Sequence, residues 1–370
     1  IIKNVKSVVV PNTGHLHGIA AAVCAGVVAG DASKELQVIS NVPAEKQRQI
    51  KEYLQQTDIQ ISPAASELIF DIDITVSSGK DFARVRIVNH HTNIVLLQRN
   101  DDILLQLAVE ESSEDHLTDK SCLSIEKIVE FADCVDTALL EDLVGRQIDC
   151  NMAIAREGIA NRWGANIGSV LLQRQGALLS KQAAAYAAAG SDARMSGCEM
   201  PVIILSGSGN QGITASVPVA VYAEALGASD EQLLRAVTLS DLVTIHQKTG
   251  IGRLSAYCGA ISAGCGAGAG IAYLRGGDAD AVAHTVVNAI AILSGTICDG
   301  AKPSCAAKIA AAVDAGILGY QMYLEGQQFY GGDGIVTKGV DKTVHNVGRL
   351  AREGMRETDR TILEIMLTCD

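Results

Sequence analysis

The chain has 370 residues, 48% of them hydrophobic and only 19% charged, with 36 glycines against 4 phenylalanines and a single tryptophan. That length suits one large domain plus one smaller one, and that composition asks for a core of small side chains in closely packed helices. A formal net charge of −12 gives no long-range attraction for phosphate backbones or anionic lipid, so nucleic acid and membrane surfaces are not expected as partners.

Two uncharged runs, 201–222 and 254–274, are long enough by count to raise the question of a membrane span. Glycine, alanine and serine dominate both, and the first carries the polar run Ser206–Gly212, so they read as buried helices instead. Ten cysteines without a signal peptide point to a reducing, cytoplasmic compartment, where thiols serve as ligands, nucleophiles or core residues. The chain begins at Ile1 without an initiator methionine and is read as a fragment or processed product.

In chain order, Leu36, Ile39, Val42, Ile50, Tyr53 and Leu54 carry a helical period broken at Pro43. Glu67–Val76, Ala83–Asn89 and Asn93–Arg99 are β-branched and largely alternating, the pattern of an antiparallel meander with one wet face. Residues 1–115 are therefore expected to form a small α+β domain, with the charged stretch Glu110–Lys120 as its linker. From there the period is helical: Ser124–Asp142, Leu143–Arg162, Ile167–Ala189, Val217–Leu226, Asp230–Gln247, Leu254–Leu274, Asp278–Leu293 and Ala306–Gly326. The fold class expected is α+β, a small antiparallel-sheet domain followed by a larger all-α domain over residues 116–370. Few surface charges and Gly/Ala-rich helical faces make a homo-oligomer reasonable.

Chemistry is expected at the helix junctions. Cys258 opens an Ala/Gly-rich helix, and Cys298 and Cys305 bracket Asp299–Ser304, a spacing too wide for a zinc knuckle. Cysteines at separate helix ends among small neighbours suit a bulky inorganic cluster, although small core residues would look the same. The run Ser206–Gly212, with Ser206, Ser208, Asn210 and Gln211, reads as a loop that offers backbone amides and a helix N-terminus to an anion. It lacks the lysine of a phosphate loop and the dinucleotide fingerprint, so a substrate carboxylate is the better guest. Asp192 and Arg194 lie in a short segment after a helix expected to end near Gly190; Arg194 could clamp a carboxylate, or the pair could be a solvated salt bridge. His90, His91, Thr92 and Asn93 fall at a turn between two strands, where a surface turn is as good a reading as a functional one. Lys248 and Lys302 are the lysines near the suspected site, as charged partners or proton-transfer groups, and no pyridoxal-phosphate or Ser/His/Asp motif is present.

Taken in order, Ser-Asp-Ala-Arg-Met, Gly-Ser-Gly-Asn-Gln-Gly-Ile-Thr, Arg-Leu-Ser-Ala-x-Cys, Ile-Cys-Asp-Gly-Ala and Thr-Asp-Arg-x-Ile-x-Glu-Ile-Met resemble the L-cysteine desulfidase family. That family is itself similar to the α subunit of iron–sulfur L-serine dehydratases, and the resemblance runs over essentially the whole chain. It implies a [4Fe–4S] cluster held by Cys258, Cys298 and, third, Cys305, with one iron open to a small amino-acid substrate. It also implies α,β-elimination of L-cysteine to pyruvate, ammonia and sulfide, with L-serine as the alternative substrate. Arg194 and Ser206–Gly212 would hold the carboxylate, His91, Thr92 and Asn93 would close the site, and Lys248, His246, His91 or Asp299 would move protons. A Gly-Cys-Thr-Glu-Pro motif of the family falls upstream of Ile1, and Cys24 does not replace it. A non-catalytic iron–sulfur or thiol sensor, or a relative that has lost the cluster, are the other readings of the same residues.

Overall fold

The computed structural model describes residues 7–66, 68, 70–109, 118–252 and 255–368. Glu67 and Ile69 of the first expected strand, positions 110–117 of the expected linker, Arg253 and Leu254 of the Arg-Leu-Ser-Ala-Tyr-Cys motif, and Cys369 lie outside the described residues. The chain divides into two compact units, Ile1–Asp119 with Asp359–Asp370, and Lys120–Thr358.

In the first unit, α1 (Gly18–Ala29) packs on α2 (Ala44–Gln56) around Val10, Ala21, Cys24, Ala25, Val42 and Ile50. Cys24 is thus a core residue. β1 (Asp71–Ser78), β2 (Asp81–Val88), β3 (Ile94–Arg99) and β4 (Asp102–Gln106) form one antiparallel sheet in sequential order. The wet face is real: Asp71 and Asp73 alternate with inward residues and pair bidentately with Arg86 and Arg84 of the next strand. The fourth strand was not expected, because Asp-Ile-Leu-Leu-Gln is too short and too weakly alternating to announce itself.

The second unit is helical: α3 (Ile125–Cys134), α4 (Arg146–Ala160), α5 (Ile167–Gln175), α6 (Leu179–Met195), α7 (Gly209–Leu226), α8 (Asp230–Ile251), α9 (Gly259–Leu274), α10 (Ala279–Leu293), α11 (Ser304–Leu324) and α12 (Val340–Arg349). Finally, α13 (Arg356–Thr368) runs on to residues grouped with the first unit. No helix among the described residues is long and apolar enough to cross a membrane. The stretch expected as one helix over Ile167–Ala189 is two, broken at Gly176, and the second continues past Gly190 to Met195. Asp192 and Arg194 are therefore helical, not in a loop. The helices α12 and α13 were not expected: they are short and mostly polar, although Val340, Val344 and Val347 mark one helical face of α12.

The centre of this unit is α9, packed against α7, α8, α10 and α11 and buried from Ala260 to Ala272. Its glycines set the distances. A methyl at Gly264 or Gly268 would collide with the backbone of Ala312 or Gly316 on α11, and one at Gly266 with Thr244 and the Ser240 carbonyl on α8. The same pairs fix direction. Positions 264 and 268 meet 312 and 316, so α9 and α11 run parallel, whereas 266 and 270 meet 240–244 and 236, so α8 runs antiparallel. Gly259 lies against Gln211 and Gly270 against Val219, which makes α7 parallel too. The N-termini of α7, α9 and α11 consequently gather at one end, together with the C-terminal end of α8.

Within this core α8 buries Asp241, whose carboxylate accepts a hydrogen bond from Gln147 Nε2 at 3.0 Å. Burial pushes its pKa up to about 7 against that bond. A carboxyl raised in the folded state stabilises the fold below its unfolded pKa, and that contribution is lost as pH climbs to the folded value. Asp241→Asn, which cannot ionise, should therefore gain on the wild type between pH about 4 and pH about 7, with a constant difference above. Thermal melts across that range check it, and a difference independent of pH would show that Asp241 does not titrate with folding.

Candidate functional site

The cysteine-bearing segments meet through two backbone hydrogen bonds. Cys258 N donates to Thr296 O at 3.1 Å and Cys298 N to Ala256 O at 2.6 Å, an isolated antiparallel bridge centred on Tyr257 and Ile297. Side chains alternate along extended backbone, so Cys258 and Cys298 share one face, on diagonal positions whose spacing is typically about 7–8 Å. Cys258 is the residue immediately before α9 and Cys305 lies in the first turn of α11. Burial, and after it the charge of a thiolate at Cys298, push the Cys258 thiol up to about 11, and a thiolate at Cys305 acts in the same direction. Cys298 and Cys305 therefore both lie within electrostatic reach of Cys258. Among the described residues no group of three or more His, Cys, Asp or Glu side chains is arranged to hold a metal ion.

Beside the thiols stands Arg194, in the last turn of α6. Its Nη1 donates to Asn210 Oδ1 at 3.2 Å, and it forms no ion pair with a carboxylate among the described residues. Burial lowers its pKa, and a thiolate at Cys305 restores part of the loss, which places guanidinium and sulfur in one neighbourhood. The guanidinium lies against Gly209, where a methyl would oblige the Arg194 side chain to move. Leu205 and Ser208 exchange backbone hydrogen bonds across Ser206 and Gly207, both at positive φ, as in a type I′ turn. Ser206 is thus a turn residue, and α7 begins at Gly209, earlier than expected, with Asn210 and Gln211 in its first turn. Ser208 precedes that helix without capping it through its side chain.

Several buried polar atoms at this end have no partner among the described residues: Gln211 Oε1, both amide atoms of Gln247, Tyr257 OH and Ser262 Oγ. They come from the first turn of α7, the last turns of α8 and the start of α9. Buried polar groups are rarely left unpaired unless a ligand or ordered water serves them. Lys248 is buried on the same line of α8 as Ser240 and Thr244, which faces α9. His246 points elsewhere, its Nε2 2.8 Å from Asp341 Oδ1 of α12.

Asp299 is held by two lysines, Lys302 and Lys308. Burial opposes its charge, but hydrogen bonds from both ammonium groups more than offset it and hold the carboxyl down to about 2. In the first unit, His90, His91, Thr92 and Asn93 sit at the β2–β3 turn. The His91 ring lies 4.8 Å from that of Phe70, and Asn93 Nδ2 donates to Val88 O at 3.0 Å.

Parallel helix ends, the Arg194 guanidinium without a carboxylate partner among the described residues, and three cysteines thus belong to one end of the helical unit. The chain belongs to the serine dehydratase alpha chain family, whose signature matches residues 33–364. It is 57% identical over 367 residues to a UPF0597 protein of Desulfitobacterium hafniense, covering 99% of this chain and 85% of that one. It is 46% identical to a UPF0597 protein of Lachnoclostridium phytofermentans, covering 99% of this chain and 88% of the relative. For a UPF0597 protein of Treponema denticola the identity is 42%, over 99% of this chain and 86% of the relative. No solved structure matches the chain.

Sequence reasoning passed over two residues of this region. Lys308 is one, and the signal available for it is its spacing of three from Cys305, which puts both on one face of α11. Asn151 accepts from Ile203 N at 3.0 Å and donates to Ile203 O at 3.3 Å and Ser216 Oγ at 3.1 Å, anchoring the segment ahead of the Ser206 turn; no local signal reveals that. Asp192, by contrast, turns its buried carboxylate away from chemistry, accepting from Ile167 N at 2.6 Å and Ala165 N at 3.3 Å at the start of α5. Removing such a cap costs about 1–2 kcal/mol. Asp192→Ala should lower unfolding free energy by that order in a denaturant titration and leave ligand affinity unchanged; loss of affinity with unaltered stability would return Asp192 to the site.

Proposed function

We propose that this chain is an iron–sulfur-dependent lyase that removes the β-substituent of a small L-amino acid, L-cysteine foremost. The observation that carries the reading is Arg194: a guanidinium withdrawn from solvent, with the Asn210 carboxamide as its only oxygen partner among the described residues and Cys305 within electrostatic reach. A buried cation of this kind is costly until an anion meets it. An amino acid whose carboxylate pairs with Arg194 would turn its β-substituent to the cysteines.

The donor set suits a multi-iron cluster better than one ion. Cys298 and Cys305 both act electrostatically on Cys258, and the three thiols come from segments with small neighbours (Gly259, Gly300, Ala301, Ala306), a donor type that suits iron–sulfur chemistry. Lys302, Lys308, Arg194 and three helix N-termini supply the positive field that several thiolates need. Cys258, Cys298 and Cys305 would hold the cluster, which when bound supplies a Lewis-acidic iron that polarises the leaving group. The remaining roles fall to the chain's own residues. Arg194 and Asn210 hold the carboxylate, and the first turn of α7 adds its amide ends. Gln211 Oε1 is an acceptor without a partner for a donor on the substrate. Lys248, buried on the α9-facing line of α8, takes the proton from the α-carbon. Loss of that proton and of the β-substituent gives an enamine, whose hydrolysis yields pyruvate and ammonia. Asp299, pinned between two lysines, is too weak a base for this step and acts as an anchor. The part given to His91, Thr92 and Asn93 rests on the resemblance alone.

L-Serine is the second substrate to consider, because the matched family is named for serine dehydratase. Sulfide and pyruvate release should be followed with anaerobically reconstituted protein, on L-cysteine and L-serine in competition. Activity should vanish when iron is stripped, and Arg194→Leu should reduce kcat/KM by about two orders of magnitude, the scale for unpairing a buried charge. Undiminished turnover without iron ends the cluster reading. Cluster-dependent binding of a partner without turnover would make the chain a sensor.

A further inference from the structure

Between the end of α10 at Leu293 and the start of α11 at Ser304 the chain has no regular structure apart from the bridge at Ile297. This connection carries Cys298, and it must hold that thiol steady against Cys258 on one side and Cys305 on the other. Lys308 reaches back to it from α11. Its Nζ donates to Ile297 O at 2.9 Å and to Asp299 Oδ1, the residues on either side of Cys298. Ile297 is also the bridge partner of Tyr257, the residue before Cys258, and Lys308 itself stands one turn beyond Cys305. A single ammonium thus touches or adjoins all three thiol-bearing segments. Lys302 seconds it by pairing with Asp299 from the loop and donating to the Gly300 carbonyl at 3.3 Å, the carbonyl that also accepts from Cys305 Sγ at 3.5 Å.

We infer that Lys308, with Asp299 as its counter-ion, is the positioning residue that sets the spacing of Cys298 relative to Cys258 and Cys305. This rests on the iron–sulfur reading above for its consequence, but the geometry stands on the described residues. Lys308 is no ligand and touches no substrate. Its ammonium replaces the backbone partners that an irregular loop lacks, and a cluster site built on a loop needs such support to be formed before the inorganic part arrives. A lysine is suited to the task because its flexible stem lets one charge serve a carbonyl and a carboxylate at once.

The test uses the full chain with Lys308→Met, Lys308→Arg and Asp299→Asn beside the wild type. Each is reconstituted anaerobically with ferrous iron and sulfide, and iron, acid-labile sulfide and the rate of iron loss to a chelator are measured. Far-UV circular dichroism and thermal melts of the metal-free proteins separate misfolding from loss of positioning. Iron should leave Lys308→Met on the order of 10-fold faster than wild type, the scale for residues that orient metal ligands. Asp299→Asn should follow it and Lys308→Arg should recover most of the retention, while the melts coincide. Equal retention in Lys308→Met and wild type overturns the inference. Should the wild type take up no cluster, the functional reading falls, and alkylation of Cys298 in the metal-free proteins decides the clamp by itself. Alkylation several-fold faster in Lys308→Met than in wild type supports the clamp, and an unchanged rate removes it.

Discussion

Backbone-to-backbone approach along α9 is the constraint from which the rest of the helical unit follows. Glycines at 264 and 268 let α11 close in on one side, and those at 266 and 270 let α8 close in on another. Contacts this near leave no room for sliding, so the register of three helices is set by side chains that are absent. Register in turn decides where the ends fall. With α7, α9 and α11 parallel, their first turns share one end of the bundle, and each contributes partial positive charge from unpaired amides. Cys258, Cys305 and Asn210 come together because they occupy those turns, so the site is a by-product of how the core packs.

Much of this was legible in the sequence. The change from alternating to helical period marked where the sheet region ends, and β-branched Ile72, Ile74 and Val85 made the sheet plain. Small-residue content announced close helix packing, and Cys258 and Cys305 were legible as residues at helix starts. What escaped detection was long-range or relational. Nothing local says that Asp192 will cap a helix 25 residues earlier in the chain, or that Asn151 will pin the strand-like segment at Ile203. Helix ends were misjudged where glycine was taken as a stop: Gly190 lies inside α6 because its missing Cβ admits Ala155 of α4 and Ile213 of α7. The same residue type breaks a helix at 176 and packs one at 190, and only the tertiary neighbours distinguish the two cases.

The candidate site shows the same division. Residue types with a chemical signature, such as Arg194 and the three cysteines, could be singled out from the sequence. Supporting residues carry no such signature. Lys308 resembles any exposed lysine until its bonds to Ile297 and Asp299 are seen, and Asp299 looks like a proton acceptor until two ammonium groups are found holding it. A carboxyl that stays ionised down to about 2 is a good fixed charge and a poor base, for the single reason that its conjugate acid is so readily deprotonated.

Global and local charge also have to be kept apart. A net charge of −12 describes what a distant polyanion meets, and at physiological salt that field fades over about 8 Å. At the end of the bundle where α7, α9 and α11 begin, the nearby charges are instead Arg194, Lys302, Lys308 and three helix N-termini, with Asp299 between the two lysines. Burial strengthens those nearby terms, since there is little water to screen them. A chain of net negative charge can therefore still be locally positive at one point within.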